Sequence, residues 1–358
     1  MRIAIIGLGL IGGSWGLALK AWAKTEEGKQ NAIEIIGFDA SGQRRSEADK
    51  MGVADKYVTT PMAAVKEAQV VLICTPVMSI RETFEDIANE LTPGTIVTDT
   101  ASTKRDVMRW AKEFLPITVN FIGGHPMAGR TGSIEEASPE LFRNAVYCLT
   151  PLPTAKAEAI DTLIRLIEAI GGGPRITDAE EHDSYVAAVS HLPFLTAATL
   201  MNLVGGSDGW REISRLAATG FQDSTRLAGG SVQMHLDICR TNNDAIISWL
   251  DRYQRSLSEL RQMLEEAGNH DERGRLRPGE ADSSSLQKFL ETARDSREEW
   301  VNLKRTKPIE TQYEEQSMPN RKDLQMDVSR MLVGGLFKRK PTEGKNDPKN
   351  SGGDTRRR

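Results

Sequence analysis

The chain is short of cysteine and histidine, and each shortage excludes something. Of 358 residues only three are cysteine: Cys74, Cys148 and Cys239. They are scattered, with no redox or metal-ligand spacing, so neither a disulfide framework nor a metal site is expected. This suits a reducing cytoplasm. No unbroken apolar run reaches the length of a membrane span, so none is predicted. The apolar N-terminus MRIAIIGLGLIGG has no long basic lead and no cleavage-like site, so it does not read as a secretory signal. A basic excess is also missing: 46 Lys and Arg face 50 Asp and Glu, for a net charge of −4. No global field therefore recruits nucleic acid. No internal repeat is visible, and the β-strand signal stops at Pro151.

Before that point the pattern is regular. Short β-branched runs at Arg2–Ile6, Glu34–Asp39, Val70–Cys74, Thr95–Asp99, Val119–Gly123 and Val146–Thr150 alternate with helical stretches. Near-continuous apolar strands separated by helices predict an α/β domain, a doubly wound parallel sheet over residues 1–150. Residues 151–303 then read as an all-helical second domain. Within it the run from Tyr185 to Val204 is apolar almost all round, which predicts burial within the domain or between the two copies of a homodimer. Residues 304–358 hold fourteen Lys and Arg against eight Asp and Glu, a local +6. They read as a disordered basic tail with one apolar patch, Met331–Lys340.

Gly7, Gly9 and Gly12 have G-x-G-x-x-G spacing directly after the first strand, where a helix begins. That context predicts a dinucleotide site of Rossmann type, with the pyrophosphate on the helix N-terminus. Asp39 ends the second strand, where a carboxylate accepts ribose hydroxyls and repels a 2′-phosphate. NAD is therefore expected. NADP stays open, because Arg44 and Arg45 lie close enough in sequence to neutralise such a phosphate. Thr75 and Pro76, in Cys74-Thr75-Pro76, predict a loop over the cofactor ribose, or an ordinary strand end at proline.

Two segments close later strands: DTASTK, Asp99–Lys104, and GGHPMAG, Gly123–Gly129. Ligands of open parallel sheets bind at such strand ends. Ser102 and His125 are therefore candidates for orienting a substrate alcohol and taking its proton while hydride leaves the adjacent carbon. The alternatives are a helix cap for Ser102 and a backbone-bonded histidine for His125.

These motifs, in order with SHLP (Ser190–Pro193) and GFQDSTRLA (Gly220–Ala228), resemble the prephenate and arogenate dehydrogenases of tyrosine biosynthesis over roughly residues 1–303. The resemblance implies an NAD(P)-dependent oxidative decarboxylation of prephenate to 4-hydroxyphenylpyruvate, or of arogenate to tyrosine. It implies His125 as base, Ser102 as its partner at the hydroxyl, and Arg226 on a substrate carboxylate. Asp223 is within helical reach of Arg226 and would orient it, unless the two form only a structural pair. His191 matches the histidine of the HLP segment; taken alone, it reads as a core histidine. Phe194 departs from some prephenate-using relatives, which carry a second histidine there, and this leaves the keto or amino substrate open. A β-hydroxyacid dehydrogenase is the more remote alternative, but its proton-transfer group would be a lysine. Neither a fused mutase nor a regulatory domain is expected from the sequence.

Overall fold

A computed structural model of the chain describes residues 1–129, 132–268 and 284–306. The expected tail beyond 306, with its patch at Met331–Lys340, lies outside the described residues. Among the described residues there are eight strands: β1 Arg2–Ile6, β2 Glu34–Phe38, β3 Lys56–Tyr57, β4 Val70–Ile73, β5 Ile96–Asp99, β6 Asn120–Pro126, β7 Val146–Pro151 and β8 Gly173–Ile176. They form one sheet in the order β3-β2-β1-β4-β5-β6-β7-β8. The first six run parallel. β7 is antiparallel to β6, and β8 is parallel to β7.

Helices cover both faces. They are α1 Leu10–Trp22, α2 Glu26–Gln30, α3 Gly42–Met51, α4 Pro61–Val65, α5 Val77–Ile87, α6 Arg105–Phe114 and α7 Ala157–Ala169. On one face Trp15 of α1 meets Phe142 and Tyr147, and α7 adds Leu163 and Ile167 to the same core. On the other face Phe84 of α5 packs edge-on against Phe121 of β6 at 5.4 Å. Each such fully buried side chain stabilises the fold by roughly 1.5–3 kcal/mol. This core fixes the strand ends that carry the chemistry.

The expected boundary at 150 is corrected by β8 and α7, which belong to the sheet and its core. Three glycines, Gly171–Gly173, follow α7, and Gly173–Ile176 pairs with β7. Pro174 is tolerated because β8 is an edge strand.

The remaining helices are α8 Ala179–Val186, α9 Leu192–Gly205, α10 Trp210–Ile213, α11 Thr219–Thr225, α12 Val232–Thr241, α13 Asn243–Ala267 and α14 Ser284–Thr306. A π-helical turn, Ala187–His191, joins α8 to α9. Pro193 has no N–H to donate to the carbonyl four residues earlier, and the wider turn immediately before it absorbs that loss. The continuous run Ala179–Gly205 is long and apolar enough to cross a membrane by length and composition alone, among the described residues. It also holds three polar side chains, His182, Asp183 and His191, that are buried in contacts with the rest of the protein.

Candidate active site

The glycine loop has the shape expected for a phosphate. Gly7 has φ +94°, and a Cβ there would lie 2.7 Å from the Cys74 carbonyl group. A Cβ on Gly12 would sit 1.9 Å from the Gly7 oxygen. Both glycines are therefore required by close backbone packing. Gly9, in contrast, faces open space within 4 Å. It is the N-cap of α1, whose first turn carries no acidic residue and no side-chain cap. Such a turn leaves N–H groups and a partial positive charge for an anion.

Asp39 is buried just past β2. Its carboxylate accepts the Leu8 N–H at 2.9 Å and the Ser41 N–H at 2.8 Å. Arg44 reaches the same carboxylate at 3.2 Å. Asp39 thus braces the glycine loop and offsets the arginine beside the expected ribose position. Thr75 lies against Gly7, and its buried hydroxyl has no partner among the described residues. Pro76 caps α5. These residues fit a dinucleotide.

The reaction end is organised by Asp99. Register places Thr98 of β5 beside Ile122 of β6, so the DTASTK and GGHP segments leave the sheet together. One Asp99 oxygen accepts the Gly124 N–H at 3.1 Å; the other accepts the Ala101 N–H at 2.9 Å. Lys104 Nζ donates to the second oxygen, and both members of this ion pair are completely buried. A Cβ on Gly124 would come within 2.5 Å of the Asp99 carbonyl oxygen. The glycine before His125 is there because another backbone passes this close. Ser102 stands half-buried on the β5–α6 loop. It is not the cap of α6, a position held by Lys104.

His125 sits at the end of β6 with its ring packed edge-on against His182 of α8. His125 Nδ1 lies 2.9 Å from His182 Nε2, and His182 Nδ1 lies 2.8 Å from Asp183 Oδ1. Asp183 also accepts the backbone N–H groups of Lys104 at 2.7 Å and Arg105 at 3.0 Å. Burial pushes the Asp183 carboxyl up, but the bonds from His182 and the two amides outweigh it and leave the group below its usual range. Asp183 is therefore ionised and accepts only. For one proton on each ring, that sets the direction of the chain. His182 donates from Nδ1 to Asp183 and accepts at Nε2; His125 donates from Nδ1 to His182. The lone pair of His125 Nε2 is left for a ligand. Burial, followed by His182, Lys104 and His191, holds His125 well below the ordinary imidazole range, so it is neutral and able to take a proton.

Two stretches match sequence models of one family: residues 21–174 match "Prephenate dehydrogenase, nucleotide-binding domain", and residues 178–276 match "Prephenate dehydrogenase, dimerization domain". The prephenate dehydrogenase of Bacillus subtilis is 35% identical over 299 residues, covering 83% of this chain and 75% of that one. The chain belongs to the prephenate dehydrogenase family. The cyclohexadienyl dehydrogenase of Zymomonas mobilis is 33% identical over 263 residues, covering 73% of this chain and 87% of that one. The crystal structure of Synechocystis arogenate dehydrogenase superposes with a TM-score of 0.68 at 27% identity, covering 84% of this chain and all of that one.

Within this family fold the helical region adds the remaining side chains. His191 is fully buried at the end of the π turn. Asn242 donates to the Asp183 carbonyl at 2.8 Å and lies 3.2 Å from His191 Nδ1. His191 therefore accepts at Nδ1 and carries its proton on Nε2, a buried N–H with no partner among the described residues. Burial lowers its pKa to about 4. Arg226 lies at the C-cap of α11, exposed, and Asp223 is exposed too. The expected Asp223–Arg226 pair is not formed. A 3₁₀ turn, Arg226–Gly229, begins at the arginine, and neither side chain has a hydrogen-bond or ion-pair partner among the described residues.

The local sequence does not mark His182, Asp183, Asn242 or Asp99 as site residues. The segment AEEHDSY reads as an acidic helix start, with Asp178 as its cap. In a regular helix the nine-residue separation of His182 and His191 places them on opposite faces. The π turn changes that phase, and nothing in the local pattern announces it.

Proposed function

We propose that this protein oxidatively decarboxylates prephenate to 4-hydroxyphenylpyruvate with NAD, in tyrosine biosynthesis. The observation that carries the reading is the chain His125–His182–Asp183, which leaves one unprotonated imidazole nitrogen at the carboxyl end of the sheet. Gly7, Gly9 and Gly12 would hold the dinucleotide phosphates. Asp39 would hold the ribose hydroxyls, and Thr75 and Pro76 the loop beside them. NAD, when bound, supplies the hydride acceptor.

The chain's own part is proton handling and orientation. His125 Nε2 takes the proton of the substrate 4-hydroxyl while the hydrogen on the same carbon departs as hydride. The electron pair freed as the ring carboxylate leaves as CO2 closes the aromatic ring, and the proton on His125 returns to the phenolate oxygen. No net proton is consumed, so the base is regenerated in each turnover. His182 and Asp183 stabilise the transient imidazolium, as an orienting carboxylate does in other histidine sites. Ser102 holds the hydroxyl, and Arg226 takes a carboxylate through its planar fork of donors. A β-hydroxyacid dehydrogenase would need a lysine for proton transfer, and Lys104, at this end of the sheet, is committed to Asp99 and buried.

Residues 198–236 contain no buried residue in a single copy, although Leu216 and Val232 are more than four-fifths exposed. This supports a homodimer in which the partner covers the segment bearing Asp223 and Arg226. The free cysteines fit a reducing cytoplasm. The test is a steady-state comparison of prephenate and arogenate with NAD and NADP, followed by nicotinamide absorbance. Prephenate with NAD is expected to give the highest kcat/KM. Reduction with neither substrate would refute the reading.

A further inference from the structure

Arg105 opens α6, and its guanidinium reaches three groups of the helical region. Nε lies 3.4 Å from Asp183 Oδ2, on α8. Nη2 donates to Asn242 Oδ1, just before α13, at 3.0 Å. The two Nη groups also take one Asp244 oxygen each, at the start of α13. Glu180 stands farther off, at 3.6 Å. Asp244 and Glu180 are exposed, and such ion pairs add little stability by themselves. What Asp244 does is hold the outer edge of the guanidinium, so that its inner edge faces Asp183 and Asn242.

The oxygens of Asp183 have separate tasks. Oδ1 accepts from His182 Nδ1 and the Lys104 N–H. Oδ2 accepts from Arg105, through its N–H at 3.0 Å and through Nε. A guanidinium only donates. Asn242 must therefore turn its oxygen to Arg105, which leaves its Nδ2 to donate to the Asp183 carbonyl at 2.8 Å. Arg105 thus holds Asp183 directly at the carboxylate and, through Asn242, at the main chain.

We propose that Arg105 is a positioning residue for the proton transfer, keeping Asp183 Oδ1 in line with His182 and so setting the proton on His125. The proposal rests on the dehydrogenase reading given above. A lysine has the charge without the planar fork and cannot span Asp183, Asn242 and Asp244 together.

The experiment uses the full chain with prephenate and saturating NAD, and compares Arg105→Ala and Arg105→Lys with the unmodified protein. Melting curves confirm that each variant is folded at the assay temperature. For Arg105→Ala, kcat is expected to fall about 10–100-fold, less than for loss of the base itself, with the KM values for prephenate and NAD little changed. The Arg105 side chain is 24% exposed, so its place is open to a small cation from solvent. Guanidinium ion, added well below denaturing concentration, is expected to restore part of the kcat of Arg105→Ala, while sodium chloride at equal ionic strength is not. Arg105→Lys is expected to recover only part of the loss. A kcat within a few-fold of the unmodified protein in Arg105→Ala, full recovery in Arg105→Lys, or a loss that guanidinium does not reverse would overturn the proposal. If the unmodified protein oxidises neither prephenate nor arogenate, the reaction assignment itself has failed; a defect confined to the variants cannot arise that way.

Discussion

At His125 the decisive quantity is where the proton sits. Two bonds, His125 to His182 and His182 to Asp183, set the tautomer from outside the site. Asp183→Asn should therefore reverse the chain, because an amide can donate where the carboxylate only accepts. The expected loss in kcat is about 10²–10⁴-fold, checked by steady-state rates alongside a melting curve that reports the lost contacts to α6. The pH profile should carry the same signature. His125 has a folded pKa below its ordinary 6.5, so the base stays unprotonated as pH falls through that value. The acid limb of kcat/KM should lie below 6.5, and a limb at or above it would contradict the assignment. His125 and Ser102 were legible in the sequence because glycine and proline isolate them at strand ends. His182 and Asp183 were not, since two polar residues in an acidic helix look like a solvated face until α8 is docked on α6.

At the level of elements, Asp99 ties the end of β5 to the end of β6 through the Gly124 amide and the Lys104 ammonium. Removing it leaves a fully buried lysine without its counter-ion. Asp99→Ala should therefore destabilise the protein by about 3–5 kcal/mol, read as a shift in the urea midpoint at unchanged slope. A loss under about 1 kcal/mol would mean that water or another group reaches Lys104. The parallel strands were legible because their apolar runs are unbroken and the helices between them have clear limits; α3, Gly42–Met51, is capped by Ser41 and ended by Gly52 in the left-handed region. β3 and β8 were not. One is two residues long and the other opens with Gly-Pro, and both take their structure from a neighbouring strand rather than from their own sequence.

Over the whole molecule, two histidines, His125 and His191, are buried in neutral form, and that links stability to pH. His125 and His191 have folded pKa values below the unfolded value, with His191 at about 4. As pH falls below about 6.5 the unfolded chain binds protons that the folded chain refuses. Stability is complete above that pH and is lost progressively down to the folded values. The melting temperature should drop between pH 6.5 and pH 4, and His191→Gln should flatten the drop; a melting temperature constant over that window would contradict the burial of neutral imidazoles.

The central claim is that one imidazole, His125, takes and returns the substrate proton. Turnover of prephenate by His125→Asn with saturating NAD tests it most directly, beside thermal melting and NAD binding to show that the fold and the dinucleotide site persist. Normal melting and NAD affinity are expected, with kcat lowered about 10²–10⁴-fold. A folded variant that turns over within a few-fold of the unmodified protein would contradict it.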